Sequence, residues 1–232
     1  MKNLQKLSAN QSIPFIAPVI AIDGPSASGK GTVAQLVAEK LGFNYLDSGA
    51  LYRIVAFAAQ KNNIEWHQSD ALGDLAKSLK ISFAQGEILL SGDRITEAVR
   101  SEEMSRGASE VAIHPPVREA LFALQKSSRK SPGLVADGRD MGSVVFKDAQ
   151  LKIFLTASVE TRAVRRFNQL INKGISANLD QILADLQQRD LRDSGRGAAP
   201  LIQTADALLL DTTFRNIDEA VEFVFTAYQN IL

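Results

Sequence analysis

One nine-residue segment constrains the fold of this chain more than any other feature of its sequence. It runs from Gly24 to Thr32 and reads GPSASGKGT. The apolar residues 17–22 precede it with the character of a buried strand, and residues 33–41 follow with apolar side chains at helical spacing. The segment therefore lies at a turn from a strand to a helix, where glycines let backbone N–H groups point inward around phosphate oxygens.

The residues of this segment predict a binding site for a nucleoside triphosphate: Gly24, Pro25, Ser26, Ala27, Ser28, Gly29, Lys30, Gly31 and Thr32. Lys30 can reach the terminal phosphates, and the helix N-terminus adds partial positive charge. Gly31 stands where the general pattern has Ser or Thr, so the hydroxyl that commonly coordinates Mg²⁺ is displaced to Thr32. The alternative is an ordinary glycine turn, which the complete spacing and both flanking elements disfavour.

Composition excludes several classes of protein. The 232 residues include no cysteine, so the sequence offers neither a disulfide framework nor a thiolate metal site. Lys plus Arg and Asp plus Glu number 26 each, so no net charge favours nucleic acid or an acidic membrane as a partner. The two histidines, His67 and His114, are far apart and are expected to be ordinary surface or loop residues.

No apolar run approaches the about 18 residues of a membrane span. Residues 1–12 are polar apart from scattered Leu, and Pro14 and Pro18 break the apolar run after them, so residues 1–17 are predicted to be a poorly structured tail. A cleaved signal peptide would need a longer apolar core and a small-residue cleavage site. We therefore expect a cytoplasmic protein with no membrane partner. The neutral net charge favours a monomer.

Short apolar segments alternate with helical ones, which predicts an α/β fold with a doubly wound parallel sheet. The candidate strands cover residues 18–22, 44–46, 134–136, 151–155 and 207–210. Two regions interrupt this alternation. Residues 81–84 and 87–90 flank Gln85-Gly86 as in an antiparallel hairpin, and residues 160–197 contain two helical stretches broken at Lys173-Gly174. The first predicts an inserted subdomain and the second a lid with hinges.

A second cluster, DSGALYR at residues 47–53, follows the second candidate strand. Loops at the carboxyl ends of such strands line one crevice, so this cluster is expected to face the phosphate loop. Tyr52 offers a flat face for a base or sugar, and Arg53 a planar fork for a phosphate. The alternative is that Asp47 or Ser48 caps the next helix, with Tyr52 in the core, and capping is compatible with binding.

A third cluster, DGRD at residues 137–140, follows the third candidate strand. Asp137 ends an apolar strand beside the phosphate loop, a position from which an aspartate holds Mg²⁺ or its water. Arg139 suits a phosphoryl group, and Asp140 can accept a hydrogen bond from an exocyclic amine such as that of cytosine. The alternative is a local Asp–Arg pair on a turn.

Arginines form a fourth cluster, and their helical spacing gives two faces that could close over one polyphosphate. One face carries Arg162, Arg165 and Arg166, and the other carries Arg189, Arg192 and Arg196. Arginine stabilises the charge on a phosphoryl group in transfer. The alternative is a solvated helix on which Arg189 and Asp193 form a surface pair.

Taken together, four motifs resemble those of bacterial cytidylate kinases in order and spacing. They are the phosphate loop, DSGALYR at 47–53, ADGRDMG at 136–142 and QRDLRDSGR at 188–196. The resemblance implies a P-loop NTPase fold with a monophosphate-binding insertion and a helical lid, and transfer of the γ-phosphoryl group of ATP to CMP or dCMP with Mg²⁺. A Gly-Lys-Gly-Thr ending is normal in such kinases, so Gly31 favours a kinase over a GTPase.

The resemblance also implies roles for individual residues. The residues implied at the CMP site are Ser48, Tyr52, Arg53, Ser109, Arg118, Arg139, Asp140, Arg189 and Asp193, with Ser109, Arg118 and Asp140 on the cytosine edge. Arg162 and Arg165 join the phosphate loop at ATP, and Lys30, Arg139, Arg189 and Arg196 are the implied catalytic group. Thr32 and Asp137 are the candidate Mg²⁺ residues, directly or through water.

The implied division places the kinase domain at 18–232. Its core comprises residues 18–79, 131–160 and 199–232, the insertion about 80–130 and the lid about 161–198. Two alternatives stay open. A GTP-binding switch would need an aspartate after Asn172-Lys173-Gly174, where Ile175 stands. A kinase with the same core but another acceptor, such as UMP, AMP or shikimate, is distinguished by its substrates.

Overall fold

The computed structural model describes residues 16–84 and 86–231, with only the backbone of Ala84. In chain order the elements are β1 (Val19–Asp23), α1 (Lys30–Leu41), β2 (Asn44–Asp47), α2 (Ser48–Lys61), α3 (Ser69–Ser78), β3 (Ile81–Ala84), β4 (Glu87–Leu90), β5 (Asp93–Arg94), α4 (Thr96–Val99), α5 (Glu102–Val111), α6 (Pro115–Ser127), β6 (Leu134–Gly138), a π-helical turn (Met141–Val145), β7 (Leu151–Thr156), α7 (Val159–Asn172), α8 (Leu179–Gly195), β8 (Leu208–Asp211) and α9 (Ile217–Gln229).

The central sheet is parallel, with strand order β2-β6-β1-β7-β8. All five strands predicted from the sequence are present. Every residue of β1 and β6 is buried, because helices cover both faces of the sheet, and this is why their sequences are apolar almost without interruption. The predicted α/β fold with a doubly wound parallel sheet is confirmed.

Two apolar cores lie on opposite faces of this sheet. One is built around α2, α3 and α6, with Leu51, Leu72 and Leu121 fully buried or nearly so. The other joins α1 to α9 through residues such as Val37 and Val224. Both cores fix the carboxyl ends of β1, β2 and β6 beside one another, which places the motifs that follow these strands at one edge.

The predicted hairpin is confirmed, since β3 and β4 pair antiparallel with Ile81 opposite Leu90. Gln85 lies outside the described residues, and Gly86 has a φ of 80°, which glycine adopts without strain. The sequence missed β5, a third strand of only two residues that pairs with β4. Helices α4, α5 and α6 follow this small sheet, and α5 packs against α2.

The two helical stretches predicted around Lys173-Gly174 are α7 and α8. Ser158 and Asn178 cap their N-termini, and Gly174 has a φ of 72° in the connection. Of the predicted tail, residues 1–15 lie outside the described residues, whereas Ala17 is buried and its carbonyl oxygen accepts a hydrogen bond from Arg129 Nε at 2.6 Å. No helix in the described part of the chain is long and apolar enough to cross a membrane.

Candidate active site

The site is a cavity of about 540 Å³ at the carboxyl ends of β1, β2 and β6. One wall is the phosphate loop, the floor is formed by the segments that follow β2 and β6, and helices α5, α7 and α8 close the other sides. The volume suits small-molecule ligands. Parallel sheets bind their ligands at this edge, so the position is the one that the sequence predicted.

The phosphate loop connects β1 to α1, which begins at Lys30. Gly29 precedes the helix with a φ of 91°, a conformation that favours glycine, and a Cβ on Gly24 would collide with the carbonyl oxygen of Leu155. Ser26, Ala27, Gly29, Lys30, Gly31 and Thr32 line the cavity. Gly24, Pro25 and Ser28 complete the loop behind them. The loop thus has the strand-to-helix geometry that exposes backbone N–H groups to an anion.

Lys30 is 9% exposed, and its Nζ donates to the Pro25 carbonyl oxygen at 3.4 Å. Burial, together with the positive charge of Arg139, lowers the pKa of Lys30 to about 7. The negative charges of Asp137, Asp47 and Asp193 only partly offset this effect. A bound polyphosphate would supply the missing negative charge.

Arg162 and Arg165 lie behind the phosphate loop instead of lining the cavity. Arg162 donates to the Ser26 carbonyl oxygen at 3.1 Å and forms an ion pair with Asp190 at 2.6 Å. Arg165 donates to the Ser28 carbonyl oxygen at 3.3 Å and to Thr212. These bonds hold the outer side of the loop. The sequence led us to expect that both arginines contact ATP directly, whereas the structure shows them supporting the loop from behind.

Two carboxylates meet where β2 and β6 end, because Asp47 and Asp137 are paired residues in the sheet register. The Tyr45 hydroxyl donates to Asp137 Oδ1 at 2.7 Å. Burial and the neighbouring charge of Asp47 raise the pKa of Asp137 to about 7. A divalent cation would relieve this repulsion, and carboxylate oxygens are the ligands that Mg²⁺ prefers, so the residues present fit Mg²⁺.

Thr32 also lines this cavity from the first turn of α1. The sequence offered Thr32 and Asp137 for the metal and missed Asp47, whose place opposite Asp137 depends on strand register. The described residues contain no cluster of three or more His, Asp or Glu side chains that could hold a metal by themselves. Any Mg²⁺ here would therefore share its coordination with water or phosphate.

Asp47 also caps α2, since its Oδ1 accepts a hydrogen bond from the Ala50 N–H at 2.9 Å. The cap is compatible with binding, as expected, because Ser48, Tyr52 and Arg53 of the capped helix line the cavity. Tyr52 is nevertheless buried in the core beside Arg118, whose guanidinium lies 5.7 Å from the ring centre.

Asp140 is the centre of a buried charge cluster opposite the phosphate loop. It is 2% exposed, forms an ion pair with Arg118, and lies 4.0 Å from Arg196 Nη2. The Ser109 hydroxyl lines the same pocket, is buried, and has no hydrogen-bond partner among the described residues. Buried polar groups are normally paired, so this hydroxyl is available to a ligand.

Arg139 connects the phosphate loop to α8. Its Nη2 donates to Ser26 Oγ at 2.7 Å, and its Nε donates to Asp193 at 2.6 Å. Burial alone would raise the pKa of Asp193, but the charge and hydrogen bond of Arg139 lower it, so Asp193 stays ionised. Asp193 is thus buried against Arg139, which excludes the surface pair with Arg189 that was the alternative.

Arg189 projects from α8 into the same cavity. Its Nε is buried and has no hydrogen-bond partner in the part of the chain that the structure describes. Burial, with Arg139 nearby, lowers the pKa of Arg189 to about 10, so the side chain remains a cation at neutral pH. The cavity therefore concentrates positive charge that an anionic ligand would compensate.

Comparisons with known proteins agree with this geometry. A sequence model described as cytidylate kinase matches residues 20–230. The chain belongs to the cytidylate kinase family. A cytidylate kinase of Polynucleobacter asymbioticus is 57% identical over 215 residues, covering 93% of this chain and 98% of the relative. One from Paraburkholderia xenovorans is also 57% identical, covering 93% of this chain and 94% of the relative.

Membership of the cytidylate kinase family does not favour the GTP-binding switch. Besides residues of the phosphate loop, the structure brings twelve of the residues singled out from the sequence to one cavity: Ser48, Tyr52, Arg53, Ser109, Arg118, Asp137, Arg139, Asp140, Arg166, Arg189, Asp193 and Arg196. It adds lining residues that the sequence motifs did not reveal, namely Gln35, Tyr45, Arg100, Glu102, Gln169, Lys173 and Asp185. These are scattered between motifs, and no local pattern identifies them.

Proposed function

We propose that this chain transfers the γ-phosphoryl group of ATP to CMP and dCMP, giving CDP and dCDP. The observation that carries the proposal is the position of Arg139, which bonds the phosphate loop through Ser26 and α8 through Asp193 inside one cavity. A single guanidinium thus lies between the expected donor and acceptor sites. Family membership supports the same reaction.

The donor is expected on the phosphate loop. Its β- and γ-phosphates would accept hydrogen bonds from the backbone of the loop, and Lys30, whose Nζ bonds only the Pro25 carbonyl oxygen among the described residues, would gain an anionic partner. Arg162 and Arg165 hold the loop in shape from behind. Mg²⁺, held by Asp137 with Asp47 and Thr32 nearby, would neutralise charge on the phosphates.

The acceptor is expected on the opposite side of the cavity, between α2, α5 and α6. Arg53 lines the cavity from α2, and its planar guanidinium suits the acceptor phosphate. Asp140 can accept a hydrogen bond from the cytosine amine, and Ser109 offers a buried hydroxyl that has no partner in the described part of the chain. Uracil presents a carbonyl oxygen where cytosine has the amine, so it would face a buried carboxylate without a donor.

Transfer requires no protein nucleophile, because the acceptor phosphate attacks the γ-phosphorus directly. The work of the protein is to align the two nucleotides and to neutralise the three oxygens of the transferring group. Arg139, Arg189 and Arg196 are placed for the second task by their burial in the cavity. Closing α7 and α8 over the cavity would also exclude water, which would otherwise hydrolyse ATP.

A coupled assay with Mg²⁺–ATP against CMP, dCMP, UMP, AMP and GMP tests the proposal. We expect the highest kcat/KM for CMP or dCMP, and a preference for UMP or AMP would contradict it. Lys30→Ala is expected to abolish transfer while the fold persists. Lys152→Ala is the matched control, because Lys152 is also 9% exposed but pairs with Asp206 away from the cavity.

A cytoplasmic location, a monomeric state and the absence of a nucleic-acid partner stay predictions from the sequence. The even balance of 26 basic and 26 acidic residues supports the last of these. Size-exclusion chromatography with light scattering would test the monomer, whose expected mass is 25.2 kDa.

A further inference from the structure

Asp23 is a buried carboxylate that the proposed reaction does not use. It is the last residue of β1, directly before the phosphate loop, and is 6% exposed. Its Oδ1 accepts a hydrogen bond from the Met141 N–H and its Oδ2 from the Gly142 N–H, both at 2.8 Å. One side chain thus joins the start of the donor loop to the segment that follows Asp140.

Met141 and Gly142 open the π-helical turn, and Asp140 occupies the position before it. Aspartate is favoured at such a position because its carboxylate usually accepts hydrogen bonds from the first N–H groups of the helix. Within the described residues, Asp140 makes no such bond. Its carboxylate faces Arg118 and Arg196 instead.

We propose that Asp23 is a positioning residue for acceptor-base selectivity, because it caps this turn in place of Asp140. The first two N–H groups of the turn are buried and need acceptors, since a buried N–H without one is costly. Asp23 satisfies both, which leaves the Asp140 carboxylate free to point into the acceptor pocket. The inference rests on the proposed function, in which Asp140 reads the cytosine amine.

Two further observations support this role. The turn is a π-helix, a rare conformation that is frequent at functional sites. A Cβ on Gly142 would lie 3.5 Å from Asp23 Oδ2 and 3.1 Å from the Lys152 side chain, so the backbone approaches the carboxylate closely. The register between β1 and β6, in which Asp23 pairs with Gly138, fixes this approach. By bonding the two residues directly after Asp140, Asp23 fixes the backbone that carries Asp140.

Asp23→Asn is the variant that tests the proposal. Asparagine keeps one acceptor oxygen and turns an N–H₂ group toward one of the two backbone N–H groups, which leaves that donor unpaired. Asp140 is then expected to turn back toward the helix N-terminus. We expect the ratio of kcat/KM for CMP to that for UMP to fall by at least about tenfold, as for one lost charge-assisted hydrogen bond, with KM for ATP changed less than about twofold.

A double-mutant cycle separates positioning from a merely structural role. In an Asp140→Asn background, Asp23→Asn should change the CMP-to-UMP ratio less than about twofold, because the group it positions is already altered. Val224→Ala, which removes two methyl groups from a buried site on α9, controls for lost stability and should leave the ratio unchanged. Equal losses toward CMP and UMP in the Asp23→Asn variant would overturn the proposal.

Asp23→Ser, measured beside Asp23→Asn, retains a single oxygen in a smaller side chain. A lowered ratio in whichever variant folds supports the inference, and failure of both to fold would assign Asp23 to the core alone and overturn it. A wild-type protein that prefers UMP would instead contradict the proposed function. The two failures are therefore distinguishable.

Discussion

Replacing Asp140 with asparagine should weaken both the stability and the base selectivity of this protein. Asp140 is 2% exposed and compensates Arg118, which is 12% exposed, with Arg196 Nη2 only 4.0 Å away. Removing its charge leaves two buried guanidinium groups facing each other. Breaking a buried pair from one side costs about 3–5 kcal/mol, and the lower value applies here because asparagine still accepts one hydrogen bond.

A loss of about 3 kcal/mol corresponds to a Tm lower by roughly 6–12 °C for a chain of this length. In the coupled assay, the charge-assisted bond to the cytosine amine is worth about 1.5–3 kcal/mol, so kcat/KM for CMP should fall about 10- to 100-fold while that for UMP changes less. Differential scanning fluorimetry and initial rates with both acceptors measure the two effects.

Asp148→Asn is the matched control for this prediction. Asp148 pairs with Arg129, whose side chain is 11% exposed and so resembles Arg118, but Asp148 itself is 60% exposed. Because solvent screens this exposed pair, losing the Asp148 charge should lower the free energy of unfolding by at most about 1 kcal/mol, with no change in base selectivity. An Asp140→Asn variant as stable and as selective as the wild type would refute the reasoning.

Three further predictions concern stability. Lys30→Met should raise the Tm of the nucleotide-free protein by roughly 2–4 °C, because it removes a buried ammonium group. Burial lowers the pKa of this group to about 7, and a lower Tm in the variant would contradict the prediction. Burial raises the pKa of Asp23 from 3.8 to about 6, so between about pH 4 and 6 the folded state holds a proton that the unfolded state releases. The stability of the wild type relative to Asp23→Asn should therefore decline by about 2 kcal/mol as pH rises from 4 to 7, whereas a constant difference in chemical denaturation would count against it. Gly42→Ala should lower the free energy of unfolding by about 1 kcal/mol, because Gly42 has a φ of 66°. Gly195→Ala should lower it less, because that position is equally open to a Cβ but has no positive φ. Equal losses would show that backbone conformation is not the cause.

The fold was predictable from sequence because its strands are buried on both faces. Continuous apolar segments mark β1 and β6, and the polar residues directly after them mark the edge where ligands bind. The same pattern says nothing of β5, whose two residues carry no periodicity. Asp47 and Asp137 become neighbours only through strand register, which the sequence does not state.

Side-chain direction limited the prediction of the site. Helical spacing placed Arg162, Arg165 and Arg166 on neighbouring positions, yet only Arg166 lines the cavity, whereas the other two bond the back of the loop. Asp23 appears in the sequence as an ordinary end of a strand. Its partners lie 118 and 119 residues away, so no local pattern could have revealed its contact with the π-helical turn.

Direct transfer between two nucleotides in one cavity is the central claim, and labelled ATP tests it most directly. The purified protein is incubated with Mg²⁺, CMP and ATP labelled in the γ-phosphate, and the products are separated. We expect the label to appear in CDP in an amount equal to the ADP formed, with release of inorganic phosphate slower by at least about 100-fold. Label released as inorganic phosphate at the same rate with and without CMP would contradict it.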